Sequence, residues 1–443
     1  MHALRLALSA LCSPAQSRLR TRPRRGSGPA WRAAWSGLLL AVCFGAGCIS
    51  SKRMTYIYSP PYGVESGQFL RSLEGLRSEM KEGNRVTLLE NGDGIFPALL
   101  DAIRAAKSSV NVEMYIYEDD SVGRVFADAL CERAQAGVAV RVLVDDFGAR
   151  MGPLARKLTT AGVRFEIYKP LRLYSLYRLN HRTHRKIITV DGRMGFCGGF
   201  GIDDRWLGDA RNPHEWHDLA VRVEGPVVAQ LQRIFMEDWM HTTGEVLFGD
   251  AQFPPLPAED DTMAQAVASS RTDQSSMAKL LLFMAIQTAR KSIWIENAYF
   301  VPDPQIRRGL TAAVKRGVDV RVIVPGQYMD IPPIRRASRY YYGELLDGGV
   351  KIYEYRPTML HTKAMVVDGI WSTVGSINFE NRSMRSNAEA NVAIYDRRFA
   401  AELERVMQQD LTRCDVFTKE NWKKRGLAAR FSEAFAWLFS EAY

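Results

Sequence analysis

The chain has 443 residues and an ordinary globular composition, 47% hydrophobic and 24% charged, enough for about two or three domains. Its net charge of +10 comes from the first 53 residues, which carry nine Lys/Arg and no Asp or Glu, and leave 50 basic against 49 acidic residues in the body. That near-neutral body excludes the isoelectric point as an argument for nucleic-acid binding, and the spacing of the six cysteines excludes a disulfide framework or a cysteine metal site.

In the N-terminal segment, Arg18, Arg20, Arg22, Arg24, Arg25 and Arg32 precede a 17-residue, mostly apolar run from Ala33 to Ile49. That length is at the short edge for a membrane span. Gly45-Ala46-Gly47 before Cys48 resembles a bacterial lipoprotein cleavage site, although Gly45 stands where a branched aliphatic residue is usual. Lipidation of Cys48, an uncleaved anchor, ordinary signal cleavage and an Arg-rich transit peptide are all open readings. Residues 1–53 are set aside as a signal or membrane-anchor segment.

The body repeats itself. Ala102-Ile103 through Val112-Glu113 parallels Ala285-Ile286 through Ile295-Glu296. Gly137–Val144 parallels Gly317–Val324, and Ala161–Tyr168 parallels Gly348–Tyr355. The offsets stay between 177 and 187 residues, as a domain duplication with small loop changes requires. Helical periodicity over Phe96–Ala106 is followed by a strand at Ser109–Tyr117, a helix at Ser121–Ala136 and an apolar strand at Val138–Val144. This alternation predicts an α/β fold with helices covering the sheet. Phe248–Met277, with Pro254, Pro255 and Pro257, reads as the connection between repeats. The predicted domains are 54–255, 256–415 and a tail, 416–443. In the tail Leu427, Phe431, Ala434, Phe435 and Leu438 have helical spacing. That amphipathic helix could pack on the body or contact a membrane.

Each repeat carries His-x-Lys-x(4)-Asp: His184/Lys186/Asp191 and His361/Lys363/Asp368, which form the candidate catalytic set. In a strand, residues two apart share a face, so each His and Lys point the same way. Asp191-Gly192 and Asp368-Gly369 are turn signals, so each Asp reads as a supporting group that could pair with a Lys or Arg. Gly198-Gly199-Phe200-Gly201 and Gly375-Ser376-Ile377-Asn378 follow the two motifs. Two imidazoles and two ammonium groups in one pocket suit phosphodiester chemistry. One His attacks phosphorus, the other protonates the leaving alcohol, and the cations hold the non-bridging oxygens. His181, His214, His217 and His241 form no metal-like cluster and read as surface or supporting residues. Leu171–Leu179, apolar and basic, could admit lipid chains or simply pack as a loop.

From about residue 84 to 415 the sequence resembles the phospholipase D superfamily, and within it the bacterial cardiolipin synthases. The resemblance rests on Asn180–Ile188, Trp216-His217-Asp218 before Glu224-Gly225-Pro226, Tyr299–Asp303, Leu360–Lys363, Gly375–Asn378 and Ser386–Glu389. It implies two α-β-α sandwich repeats around one shared active site, and a two-step reaction through a phosphohistidine with no metal or cofactor. His184 would be the nucleophile and His361 the general acid. Lys186, Lys363, Asn378 and Ser376 would bind the phosphate. Asp218 and Glu389 would orient the histidines and favour their cationic form, and Glu113 and Glu296 would line the site. Gly201 departs from the pattern, standing where Asn is usual. The implied partners are a phospholipid substrate and the membrane of a bacterial cell envelope, with no nucleic acid. The leading function is a phosphatidyltransferase that forms cardiolipin from phosphatidylglycerol or a related donor. The alternatives are a phospholipase D hydrolase or nuclease on the same scaffold, or a silent envelope binding protein.

Overall fold

The apolar runs around Val142 and Val322 become inner strands in two like-built halves of one 15-stranded sheet. The computed structural model describes residues 55–75, 79–170, 182–269 and 277–438. Cys48 and the Leu171–Leu179 run lie outside the described residues. After helix α1 (Gly67–Glu74) the first half runs β1 (Lys81–Glu90), α2 (Asn91–Ala105), β2 (Ser109–Met114), α3 (Ser121–Gln135), β3 (Ala139–Asp145), α4 (Pro153–Thr160), β4 (Arg164–Tyr168), β5 (Ile187–Val190), β6 (Met194–Gly198), β7 (Leu219–Glu224) and α5 (Val228–Thr243). The second half repeats the order: β8 (Thr262–Ser269), α6 (Met277–Thr288), β9 (Ser292–Asn297), α7 (Pro304–Lys315), β10 (Asp319–Pro325), α8 (Pro332–Asp347), β11 (Lys351–Tyr355), β12 (Lys363–Val367), β13 (Trp371–Gly375), α9 (Asn381–Arg385), β14 (Glu389–Tyr395) and α10 (Arg397–Thr412). β15 (Cys414–Phe417), α11 (Lys419–Lys423) and α12 (Leu427–Leu438) complete it.

The strand order is β4-β3-β2-β5-β6-β7-β1 in one half and β8-β14-β13-β12-β9-β10-β11-β15 in the other, joined where β1 meets β8. β2, β3 and β4 are parallel, as are β9, β10 and β11. Parallel strands must be covered on both faces, which is why they read as apolar runs without alternation. Helices α2, α3 and α4 cover one face with Leu99, Ile103, Phe126, Leu130 and Leu158. On the other face Leu231 and Ile234 of α5 join Ile187 and Val221, together with Ala364, Val374, Val392 and Leu403 of the second half. That shared core seals the halves together.

Two elements differ from the sequence-based expectation. The proline-rich connection contains β8, whose pairing with both β1 and β14 makes it part of the sheet. Prolines 254, 255 and 257 stop before it begins. The apolar stripe of α12 also faces outward, because the helix packs on the body through Glu433 and Ala436. Among the described residues no helix is long and apolar enough to cross a membrane.

The motif aspartates belong to this framework. Asp191 and Asp368 open the β5–β6 and β12–β13 turns at φ 53° and 54°, each followed by a glycine at positive φ. The Asp191 carboxylate accepts hydrogen bonds from the amides of Lys107, Ser108 and Ser109 at 2.7–3.1 Å. Asp368 accepts from the amides of Arg290, Lys291 and Ser292 at 2.7–2.9 Å. Each therefore ties its turn to the start of β2 or β9 through main-chain amides, where pairing with a Lys or Arg side chain was expected. Six residues of extended chain lie between each and its motif histidine, a span on the order of 20 Å. We propose that they support the framework of the site, as their amide partners suggest.

A charged acceptor of three amides is worth about 3 kcal/mol. Asp368→Ala is expected to lower the urea unfolding free energy by about that amount, and Asp368→Asn, which tolerates the left-handed turn, by less. Turnover per folded molecule should hold within about threefold, because no chemistry is removed. Unchanged stability with lost turnover would return the Asp to the reaction.

Candidate active site

The two motifs approach the seam from opposite sides. β5 runs beside β2 with Ile187 opposite Glu113, and β12 beside β9 with Ala364 opposite Glu296. Just before each strand the main chain crosses to the other half: Thr183 bridges Ala388, and His217 bridges Leu360. The His184 amide donates to the Ala388 carbonyl at 2.8 Å, and the His361 amide to the His217 carbonyl at 2.7 Å. Each histidine is thus held by the residue preceding the other half's carboxylate.

The side chains repeat the exchange. His184 Nδ1 lies 2.9 Å from Glu389 Oε2, and His361 Nδ1 2.7 Å from Asp218 Oδ2. Both pairs are buried. Glu389 also accepts from the Ser376 and Ser383 hydroxyls, at 2.5 and 2.7 Å. Asp218 accepts from the Trp206 indole N–H and the Leu219 amide, each at 2.8 Å. A carboxylate at Nδ1 sets the tautomer and leaves Nε2 for the pocket. Burial raises both carboxyls, but neighbouring lysines and hydrogen-bonded histidines outweigh it and hold them below their usual range. For Asp218 these are Lys363 and His361, and for Glu389 they are His184 and Lys186.

The lysines lie beside the rings. Lys186 Nζ donates to the His184 carbonyl at 2.7 Å. Lys363 Nζ donates to the His361 carbonyl and lies within 3.0 Å of both ring nitrogens. Burial lowers Lys186 to about 7 and Lys363 to about 8. Burial, then the ammonium charges, hold His184 at about 4 and His361 at about 3 against the pull of their carboxylates. Glu389 and Asp218 do pull their rings toward the cationic form, as expected, but desolvation and the ammonium groups outweigh that pull. Neutral rings, two lysine cations and two carboxylates leave the pocket close to neutral.

The remaining expected residues divide. Asn378 is buried, and among the described residues its side-chain oxygen has no hydrogen-bond partner. Ser376 does not present a free hydroxyl, because it donates to Glu389 and accepts from the Ala390 amide at 3.0 Å. Its contribution passes through Glu389. Glu113 and Glu296 sit behind the motif main chain. The Thr183 hydroxyl donates to Glu113 at 2.5 Å, and burial followed by Asp238 raises Glu113 well above its usual range. Burial and Asp410 do the same to Glu296. The missing Asn at Gly201 has a steric reason. A Cβ there would sit 2.9 Å from the Trp206 ring and 3.0 Å from Ile116. The indole that orients Asp218 fills that space.

Several contributors escaped the sequence reading. Arg185, opposite in parity to His184, reaches back to Asp238 Oδ2 at 3.0 Å and the Ile234 carbonyl at 3.0 Å. In the second half Thr362 occupies its place, and the cation beside Glu296 and Asp410 is His217. His217 is buried, with Nδ1 2.7 Å from Asn91 Oδ1 and Nε2 2.8 Å from Asp410 Oδ2. Two oxygen acceptors require both nitrogens to donate, so the ring is an imidazolium with no lone pair left for a metal. Burial opposes that charge, but Asp410 wins and lifts it to about 9. Asp145, at the end of β3, receives Arg182 Nε at 3.1 Å and the Thr183 amide at 3.0 Å. Breaking such a buried pair costs about 3–5 kcal/mol. An acid closing a parallel strand was the available signal for Asp145. Nothing local marked Trp206, while Trp216 and Tyr299 stood in segments that carry the family resemblance without a role; the three ring centroids lie 5.1, 5.3 and 6.2 Å from His361.

Comparison with known proteins agrees with this architecture. A family model described as the PLD-like domain of cardiolipin synthase matches residues 99–239 and 282–411. The probable cardiolipin synthase YwiE of Bacillus subtilis is 36% identical over 381 residues, 84% of this chain and 75% of that protein. Cardiolipin synthase A of Pseudomonas entomophila is 37% identical over 348 residues, 76% of this chain and 71% of that protein. The crystal structure of a phosphatidylserine synthase from Haemophilus influenzae superposes with a TM-score of 0.66 at 14% identity, over 85% of this chain and 98% of that one, a likeness of fold. With both halves matched by one model and relatives aligned along most of their own length, the chain belongs to the cardiolipin synthase family of phospholipase D-like enzymes.

Proposed function

We propose that this enzyme transfers a phosphatidyl group from one phosphatidylglycerol to the glycerol headgroup of another, releasing glycerol and forming cardiolipin. One observation carries the reading: two His–carboxylate pairs crossed between the halves, His184–Glu389 and His361–Asp218, with two buried lysines beside them. His184 Nε2 attacks phosphorus, the bond to the leaving glycerol oxygen breaks, and His361 supplies the proton. The acceptor hydroxyl then attacks the phosphatidyl-His184 intermediate and returns a proton to His361. Bound phosphodiester brings one negative charge into a nearly neutral pocket, which favours protonating His361 there. Lys186, Lys363 and Asn378 hold the non-bridging oxygens. His184 as nucleophile fits its greater access, 10% side-chain exposure against 4% for His361, which the aromatic rings enclose. The same reading places the enzyme at a membrane of the bacterial envelope, held there by its N-terminal segment or a lipidated Cys48.

Purified protein with labelled phosphatidylglycerol should yield cardiolipin and free glycerol. His184→Ala should lower turnover at least about 1000-fold without labelled covalent enzyme, whereas His361→Ala should still accumulate some. Phosphatidic acid as the sole product would replace the transferase with a hydrolase.

The pH dependence follows from the charge states. The nucleophile must be unprotonated and the phosphate-binding lysines protonated. Because His361 is protonated only in the substrate complex, kcat carries the lysine limb and should fall above about 7, where Lys186 loses its proton. In Lys186→Arg, which stays charged, the alkaline limb should move toward the Lys363 value of about 8. A limb that stays in place would remove Lys186 from phosphate binding.

A further inference from the structure

Helix α12 is built the wrong way round for a packing helix. Its buried positions are Glu433 and Ala436, while Leu427, Phe431, Phe435 and Leu438 are 83%, 75%, 55% and 62% exposed. These four recur at helical spacing and form one stripe. Burying them against the body would have been favourable, yet the helix spends its inner face on a buried Arg425–Glu433 ion pair and a small residue. A contiguous outward stripe of this kind marks an interaction site.

The surroundings identify the occupant. Trp437 stacks on Tyr340 of α8 at 4.9 Å between centroids, and its indole donates to the Tyr341 hydroxyl at 2.8 Å. Trp and Tyr at the edge of an apolar face suit the boundary between headgroups and acyl chains. Lys423, Lys424 and Arg430 are exposed beside the stripe, and the acid within the helix, Glu433, is neutralised inside. The surface thus offers apolar side chains and positive charge together, which an anionic bilayer complements. Position agrees as well. Ala436 packs in a cluster with Val301, Ile334 and Ala337, joined by Tyr299, and Tyr299 contacts His361. That cluster thus links the helix to a ring whose centroid lies 6.2 Å from that of His361.

We infer that α12 is a docking helix that lays its apolar stripe on an anionic phospholipid surface and holds the active-site mouth against it. The inference rests on the phospholipid substrate proposed above. It supplies what an envelope anchor alone does not, since an N-terminal tether limits distance from the membrane but not orientation. With the mouth at the headgroup level, a phosphatidyl group needs to rise only partly from the bilayer to reach His184.

The test uses the full-length chain on vesicles of phosphatidylglycerol and phosphatidylethanolamine whose acyl chains are brominated. The Trp437 signal is taken as the difference between the wild type and Trp437→Phe. It should be quenched by about half or more, and escape quenching in Leu427→Ser/Phe431→Ser/Phe435→Ser. The triple variant should also turn over vesicle substrate about tenfold more slowly, yet match the wild type within about twofold on short-chain phosphatidylglycerol below its micelle concentration. Trp437 emission indifferent to bromine overturns the inference, whether a second copy of the chain or the N-terminal segment covers the face. An equal loss on both substrates also overturns it, because the helix would then serve only the folded site. Quenching does not depend on turnover. Quenched Trp437 in a protein that makes no cardiolipin therefore keeps the docking surface and rejects the proposed reaction.

Discussion

The hydrogen bonds from His184 to Glu389 and from His361 to Asp218 cross the seam between halves in opposite directions, and the rest of the site follows from that exchange. Neither half contains a complete histidine–carboxylate pair. The main-chain bonds from His184 to Ala388 and from His361 to His217 run the same way. A buried imidazole without its carboxylate would lose its tautomer and orientation, and a buried carboxylate without its ring would stay desolvated and unpaired. The reacting groups therefore come into register only when the apolar seam, with Ile187, Val221, Ala364 and Val392, has closed.

Behind the pocket each half buries a second set of charges. Glu113, Asp238 and Arg185 lie in one, and Glu296, Asp410 and His217 in the other. In both, two carboxyl groups meet one cation, so one carboxyl is pushed toward its neutral form. The first half draws its cation from its own motif. The second has Thr362 at that position and borrows His217 from the first half. The duplication has thus diverged into dependence. The asymmetry at Gly201 has the same character. Trp206 fills the volume that a second Asn would need, and its indole orients Asp218, where Ser376 and Ser383 orient Glu389.

Such a pocket acts on a phosphodiester carried by long acyl chains. Under the proposed reaction, the negative charge of the phosphodiester would favour protonating a histidine in this nearly neutral pocket, coupling proton supply to substrate binding. The outward apolar stripe of α12, with Trp437 stacked on Tyr340, extends the same logic to the surface under the docking proposed above.

Much of this was legible in order along the chain. Local periodicity set the alternating helices and strands, and the constant offset between matched segments announced two halves. The parity of His and Lys put them on one face, and Asp-Gly marked the turns, because these properties depend on residues within a few positions of one another. What the chain order could not supply was partnership across 143 to 205 residues, as in His361–Asp218 and His184–Glu389. Nor could it supply the back-side roles of Arg185 and His217, or the anchoring of Asp191 and Asp368 on main-chain amides. The charge state of the histidines depended on burial and on two lysines at once, which no spacing encodes. The stripe on α12 was visible as a stripe, but its direction was not. Sequence by itself determined the candidate histidines and lysines and the duplicated α/β frame. Only the tertiary structure decided which half orients which histidine and which face of the last helix meets solvent, because long-range packing sets burial, and burial decides the charges.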